Sequence, residues 1–359
     1  MRDEERVGED RKRRRTSAKD PGVGSVQPAH QSKETRAQGG MRGAPRTVPF
    51  AVSTVGETET LSTGGQLYDG EAVDSALEYD LEVFAYTKEL ELRTLPRHDG
   101  MAWLGSAGWG PVDAVVDWMI QLHGTFCVHP ETLFLAVNIL HRFLSVRVFN
   151  LSRLPLVAIA CILIGTKVEE NVAPSLDRLL KCIDAPGKET MVVAMEIMVL
   201  RELGWNMSFP SPVYFFRRVS SVESHSSRTL ALGEYLLAIG CVERRLLGTA
   251  PSLLAAASIW LARLALLSGN WTHRLENQSS YSEGALIPSA GLMITYLVGP
   301  VRHESLDRKY ADERFFGSSI YMRTWALQRW PQNAAVDLSR DLPTLQTYSR
   351  PNSARACPR

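Results

Sequence analysis

Two ionisable side chains stand in apolar surroundings and are the first candidates for a functional pair. Glu196 is a lone carboxylate in the run MVVAMEIMVL, residues 191–200, and Lys167 ends the run LVAIACILIGTK, residues 156–167. A carboxylate in an apolar setting needs a partner, because an unpaired buried charge is costly. Lys167 is the obvious candidate, so the sequence predicts a Lys167–Glu196 ion pair.

The remaining ionisable residues form no catalytic constellation. His141-Arg142 begins like the catalytic loop of a protein kinase, but Phe143 stands where that loop has an acid. The eight histidines lack metal-ligand spacing, and the five cysteines form no CxxC pair. We therefore expect no catalytic residue, no metal site and no cofactor, with free thiols in a reducing compartment.

The composition of the chain limits which classes of molecule it could bind. The 359 residues could form two domains, and a net charge of +1 gives no global attraction to nucleic acid or membrane. The apolar core between Leu154 and Ile164 is too short to span a bilayer. We expect neither direct nucleic-acid binding nor a membrane span.

Three apolar stretches predict buried helices: residues 130–145, 155–171 and 191–205. An amphipathic pattern predicts a further helix over 73–95, whereas the Gly-rich stretch 97–111 is typical of an irregular connection. PLVAIACILIGTK is echoed about a hundred residues later by PSLLAAASIWLARL. Such an echo indicates two stacked helical bundles, joined at the proline turn FPSP.

Both ends of the chain have the composition of disordered segments. Residues 1–72 form a basic arm poor in large apolar groups, and residues 331–359 are rich in Pro, Ser, Asn and Arg. One compact basic cluster is a candidate nuclear import signal: Arg11, Lys12, Arg13, Arg14 and Arg15. A solvated charged arm is the equally weighted alternative.

Several blocks in order carry a family resemblance. HPETLFLAVNILHRFLS, LVAIACILIGTKVEE and LRELGWNMSFPSPVYFFRR resemble the cyclin box of B-type mitotic cyclins, particularly fungal ones. SRTLALGEYLLAIG, APSLLAAASIWLARLAL and GPVRHESLDRKYADERF resemble the second box of the same family. The resemblance implies an all-α fold of two tandem five-helix boxes, over 108–208 and 210–330, preceded by the N-terminal helix.

The function that this resemblance implies is that of a non-catalytic regulator. We expect an activating subunit of a cyclin-dependent serine/threonine kinase at the G2-to-mitosis transition, in a heterodimer with the kinase, in nucleus and cytoplasm. Lys167 and Glu196 correspond to the family's kinase-facing charges, although a purely internal ion pair remains open. There are two alternatives to this function. One is a cyclin-fold scaffold without kinase activation, and the other is an adaptor like the transcription factor TFIIB. The arm contains neither an RxxL nor a KEN degradation sequence before Arg97.

Departures from the family pattern concern the helix that docks RxL peptides of substrates and inhibitors. Carried over by position, the docking patch comprises Pro111, Val115, Trp118, Gln121, Leu154 and Pro155. At Trp118 and Leu154 the chain keeps an apolar anchor residue of the family patch. Gln121 stands where the family has an acid, and Pro155 stands where it has a glutamine. We expect weakened docking, since a charge and hydrogen bonds are lost.

A buried ion pair of the family is absent. Its arginine position holds Val112 and its aspartate position holds His141. Losing both partners can be nearly neutral, whereas losing one costs about 3–5 kcal/mol. We expect the fold to survive, with the first box helix held by apolar packing.

Overall fold

The computed structural model describes residues 70–182 and 187–347. In these ranges every regular element is a helix. The predicted arm 1–72 and its basic cluster Arg11–Arg15 lie outside the described residues, apart from 70–72, and so do residues 348–359.

The N-terminal helix and the first bundle occupy the first half of the described chain. Helix α1 begins three residues before the predicted start of 73. The bounds are α1 Gly70–Arg93, α2 Gly105–Phe126, α3 Pro130–Val146, α4 Leu154–Glu169, α5 Leu176–Lys181 and α6 Glu189–Glu202, with 3-10 helices at His98–Leu104 and Leu151–Arg153. Helices α2 to α6 are the five expected for the first repeat.

The second bundle carries more helices than expected. Its bounds are α7 Pro212–Ser220, α8 Ser227–Val242, α9 Pro251–Ala265, α10 His273–Ser279, α11 Glu283–Val298, α12 Glu304–Ala311 and α13 Ser318–Leu327. These are seven helices where five were predicted, and 3-10 turns at Arg244–Leu246 and Glu313–Phe315 join them. Pro212 and Pro251 begin α7 and α9, where a missing N–H costs nothing.

The sequence echo corresponds to the central helix of each bundle. In the first bundle, α4 packs between α3 and α6, and all residues from Leu156 to Thr166 are buried. In the second, α9 packs against α7, α8 and α11. Leu151–Glu169 is long and apolar enough to cross a membrane, contrary to the expectation from length, but 67% of its most apolar 18-residue window is buried inside the protein. This stretch is therefore a core helix.

The Gly-rich connection predicted over 97–111 is largely helical, and this corrects the sequence interpretation. The 3-10 helix His98–Leu104 runs into α2, which contains Pro111 in its second turn. A side chain at Gly108 would meet Leu104 at 3.0 Å, and Trp109 packs against the core. Close packing therefore outweighs the low helix propensity of these residues.

The tail also differs from the prediction of disorder over 331–359. Residues Leu338–Thr347 form helix α14, which packs against α11. Leu338, Leu342 and Leu345 are buried at helical spacing, and the Trp330 indole N–H donates to Asp341 at 2.8 Å. Three leucines in a polar segment suffice to dock this helix, which composition alone concealed.

Candidate functional site: a charged pair at the edge of the first bundle

The predicted pair Lys167–Glu196 is present. Lys167 lies in the last turn of α4 and Glu196 in the middle of α6, two helices that pack together. The Lys167 Nζ donates to the Glu196 Oε1 at 2.5 Å. The lysine side chain is 52% exposed and the glutamate side chain 11% exposed. The pair therefore lies at the rim of the core, with the ammonium group accessible from outside.

Exposed apolar side chains accompany this pair on α6 and at the end of α4. Val193 and Ile197, one helical turn apart on α6 and on either side of Glu196, are 42% and 38% exposed. Val168, next to Lys167, is 52% exposed, and Val172, just beyond α4, is 86% exposed. Apolar groups clustered around an accessible charge are typical of a surface that binds another protein.

The docking patch predicted on α2 is only partly accessible. Val115 is 8% exposed and Leu154 is completely buried, so both belong to the core. Trp118 and Pro155 are half-buried, while Pro111 and Gln121 are exposed. Leu154 keeps the apolar character of its position, but its side chain faces the bundle and not the surface. Trp118 remains as the large apolar group at this surface.

The two positions of the missing ion pair are both buried. Val112 is 0% and His141 is 2% exposed. Burial lowers the pKa of His141 to about 4, so the imidazole is neutral at pH 7. Helix α2 is held by the expected apolar packing, through Val116, Met119 and Ile120.

Charged contacts between the two bundles also hold α2, and they were not predicted from the sequence. The Asp117 carboxylate accepts from the backbone N–H of Ser305 at 2.7 Å and from the Ser305 hydroxyl at 3.0 Å. Asp113 lies 3.9 Å from both Arg302 and His303. Burial raises the pKa of Asp113, and the nearby Arg302 opposes that shift. Two aspartates four residues apart on an apolar helix were the available signal.

Helix α1 is fixed to the second bundle. The buried Glu91 carboxylate accepts from the backbone N–H and the hydroxyl of Ser252, at 2.9 and 2.7 Å. Arg218 donates to both carboxylate oxygens of Asp80, at 2.9 and 2.8 Å. On the opposite side, Tyr79 and Tyr86 are 69% and 61% exposed.

The described residues offer few side chains for metal binding or for thiol chemistry. Among residues 70–182 and 187–347, no group of three or more His, Cys, Asp or Glu side chains could hold a metal ion. Cys161, Cys182 and Cys241 are free thiols, and burial raises the pKa of Cys161 and Cys241.

Comparison with known proteins gives two adjoining family matches. Residues 82–208 match the cyclin N-terminal domain, and residues 210–323 match the cyclin C-terminal domain. The chain is also similar to a viral cyclin structure from herpesvirus saimiri, at 16% identity and a TM-score of 0.46, over 59% of this chain and 87% of that one.

Two curated relatives of this chain come from fungi. The chain is 38% identical over 248 residues to the G2/mitotic-specific cyclin cdc13 of Schizosaccharomyces pombe, covering 69% of this chain and 52% of that protein. It is 39% identical over 251 residues to the G2/mitotic-specific cyclin-B of Emericella nidulans, covering 70% and 52%. The chain thus spans about half the length of these relatives. With both of its bundles matched in order, this chain belongs to the cyclin family.

Proposed function

We propose that this protein is the activating subunit of a cyclin-dependent serine/threonine kinase at the transition from G2 to mitosis. The names of its fungal relatives, which are G2/mitotic-specific cyclins, support the cell-cycle stage. The observation that carries the proposal is the accessible Lys167 ammonium group, held by Glu196, with the exposed Val193 and Ile197 beside Glu196 on α6.

The mechanism follows from a rigid surface and a mobile partner. Protein kinases need a Lys–Glu ion pair between a strand and the αC helix for activity, and αC position controls that pair. A stiff helical bundle that binds the inward position of the kinase αC helix more tightly than the outward position stabilises the active state of the kinase. In this mechanism the Lys167–Glu196 pair offers polar contacts and Val193 and Ile197 offer apolar area, while the cyclin itself does no chemistry.

The test exchanges the two charges. A K167E/E196K variant keeps an internal ion pair and reverses the charge offered outward. We expect wild-type protein to capture a kinase from Schizosaccharomyces pombe extract that phosphorylates histone, and the exchanged variant to lose both capture and phosphorylation.

The matched control is R147E/E202R, which reverses an ion pair elsewhere in the first bundle. It should behave like the wild type. Unchanged capture and phosphorylation by K167E/E196K would contradict the proposal.

A cyclin-fold scaffold without kinase activation is the alternative, and the similarity to G2/mitotic-specific cyclins does not favour it. Its signature in the same experiment is capture of a kinase without histone phosphorylation. The adaptor alternative is not favoured, because both bundles match cyclin domains. We further propose that the protein acts in nucleus and cytoplasm, on the basis of the sequence Arg11–Arg15.

A further inference from the structure

One carboxylate joins the end of α4 to the start of α3. Glu170 directly follows α4, and its Oε1 accepts from the backbone N–H of His129 at 2.6 Å and from the Thr132 hydroxyl at 2.5 Å. The backbone N–H of Glu170 donates to the Thr166 carbonyl at 3.0 Å. The bridge therefore fixes both the side chain and the backbone of the residue that ends α4.

A second contact fixes the same segment from the other side of Lys167. A side chain at Gly165 would meet the Thr132 carbonyl oxygen at 3.0 Å and the Ala136 Cβ at 3.4 Å. The last turns of α4 thus lie directly on the first turn of α3. Lys167 lies between Gly165 and Glu170, so the position of its backbone is determined at both ends.

Neither bridging side chain is placed to touch a partner with its functional group. Thr132 is 1% exposed, and the Glu170 side chain is 10% exposed with its carboxylate engaged by α3. Lys167, by contrast, has a long and half-exposed side chain. Any effect of Thr132 on binding must therefore pass through the position of another residue.

We propose that Thr132 and Glu170 are positioning residues that hold Lys167 in place for the kinase, an inference that rests on the proposed function. A lysine whose backbone is fixed in advance loses less conformational freedom on binding, which improves affinity. Loss of the Thr132 hydroxyl leaves the Glu170 carboxylate with one donor fewer and loosens the end of α4. The consequence is weaker binding of the kinase.

The experiment measures the Kd of the full chain for a purified Schizosaccharomyces pombe cyclin-dependent kinase by calorimetry. Thr132→Val removes the hydroxyl, and Thr132→Ser retains it and is the matched control. We expect Thr132→Val to weaken binding about tenfold and Thr132→Ser to bind like the wild type. Glu170→Gln keeps an accepting oxygen and should retain most affinity, whereas Glu170→Leu should not.

A double-mutant cycle with Lys167 distinguishes a positioning role of Thr132 from a general loss of structure. In a Lys167→Ala background, Thr132→Val should cause no further loss, because the residue that it positions is gone. The same tenfold loss in both backgrounds overturns the proposal. A wild-type Kd for Thr132→Val also overturns it, and if K167E/E196K then still abolishes binding, the proposed function stands.

Discussion

Asp117 of the first bundle binds Ser305 of the second bundle through both of its carboxylate oxygens, across 188 positions of sequence. Ser305 lies in the first turn of α12, where backbone N–H groups lack partners within the helix. An anion at such a position is favoured by the helix dipole as well as by the two hydrogen bonds. This contact joins α2 to the second bundle.

Asp117→Ala should lower the free energy of unfolding by about 1.5–3 kcal/mol, since hydrogen bonds to a charged group are lost and the Ser305 N–H loses its partner. Urea unfolding followed by circular dichroism measures the change. Asp177→Ala, at an exposed position in α5, is the control and should change stability little. Equal effects of the two variants would show that the Asp117–Ser305 contact contributes nothing.

Val112→Arg should lower the melting temperature. Val112 is completely buried and the acid that the family places opposite it is replaced by His141, so the new charge would cost about 3–5 kcal/mol. Adding His141→Asp to this variant should recover part of the loss. Ala114→Arg, at a neighbouring exposed position, is the control. A higher melting temperature for Val112→Arg would contradict the account of the missing ion pair.

The buried histidines His141 and His303 should each contribute a loss of stability in acid, which the buried Glu234, whose pKa is raised to about 8, partly offsets. Burial lowers the pKa of His141 and of His303 to about 4 in the folded protein. The unfolded chain, with an ordinary histidine pKa near 6.5, then binds more protons between these values. Each histidine therefore stabilises the fold above about pH 6.5, and this stability is lost by up to about 1.4 kcal/mol per pH unit as the pH falls towards 4.

Unfolding curves at pH 7.5, 6 and 5 measure this dependence. His141→Leu should reduce the loss of stability on acidification, since the group that takes up the proton is removed. His273→Gln, at a side chain that is 83% exposed, should leave the dependence unchanged. A His141→Leu variant with the wild-type pH dependence would exclude His141 as its source.

RxL peptides should bind more weakly than they bind an ordinary mitotic cyclin, by about 1–3 kcal/mol. Two of the apolar positions of the patch are buried, and Gln121 lacks the charge of the acid that it replaces. Gln121→Glu should strengthen the binding of an RxL peptide in calorimetry, because Gln121 is exposed and can present a carboxylate to the arginine. The gain should vanish with a peptide whose arginine is replaced by alanine. Wild-type affinity equal to that of an ordinary mitotic cyclin would refute the claim.

The sequence by itself determined the parts of the fold that depend on local composition. The apolar runs within 130–145 and 155–171 became the buried segments of α3 and α4, because a helix that is apolar on all faces can only lie inside. The run at 191–205 differs, because α6 is buried on one face only and exposes Val193 and Ile197 on the other. The Lys167–Glu196 pair followed from the same argument, since a nearly buried carboxylate requires a partner.

Only the tertiary structure decided the contacts that depend on how the helices pack. Helix α2 extends back through Gly105 because Gly108 and Trp109 fit against neighbouring core residues, and α14 exists because α11 covers its leucines. The burial of Leu154 and the bond between Asp117 and Ser305 likewise depend on distant residues. Hydrophobic periodicity reports which face of a helix is buried, but not which residues lie against it.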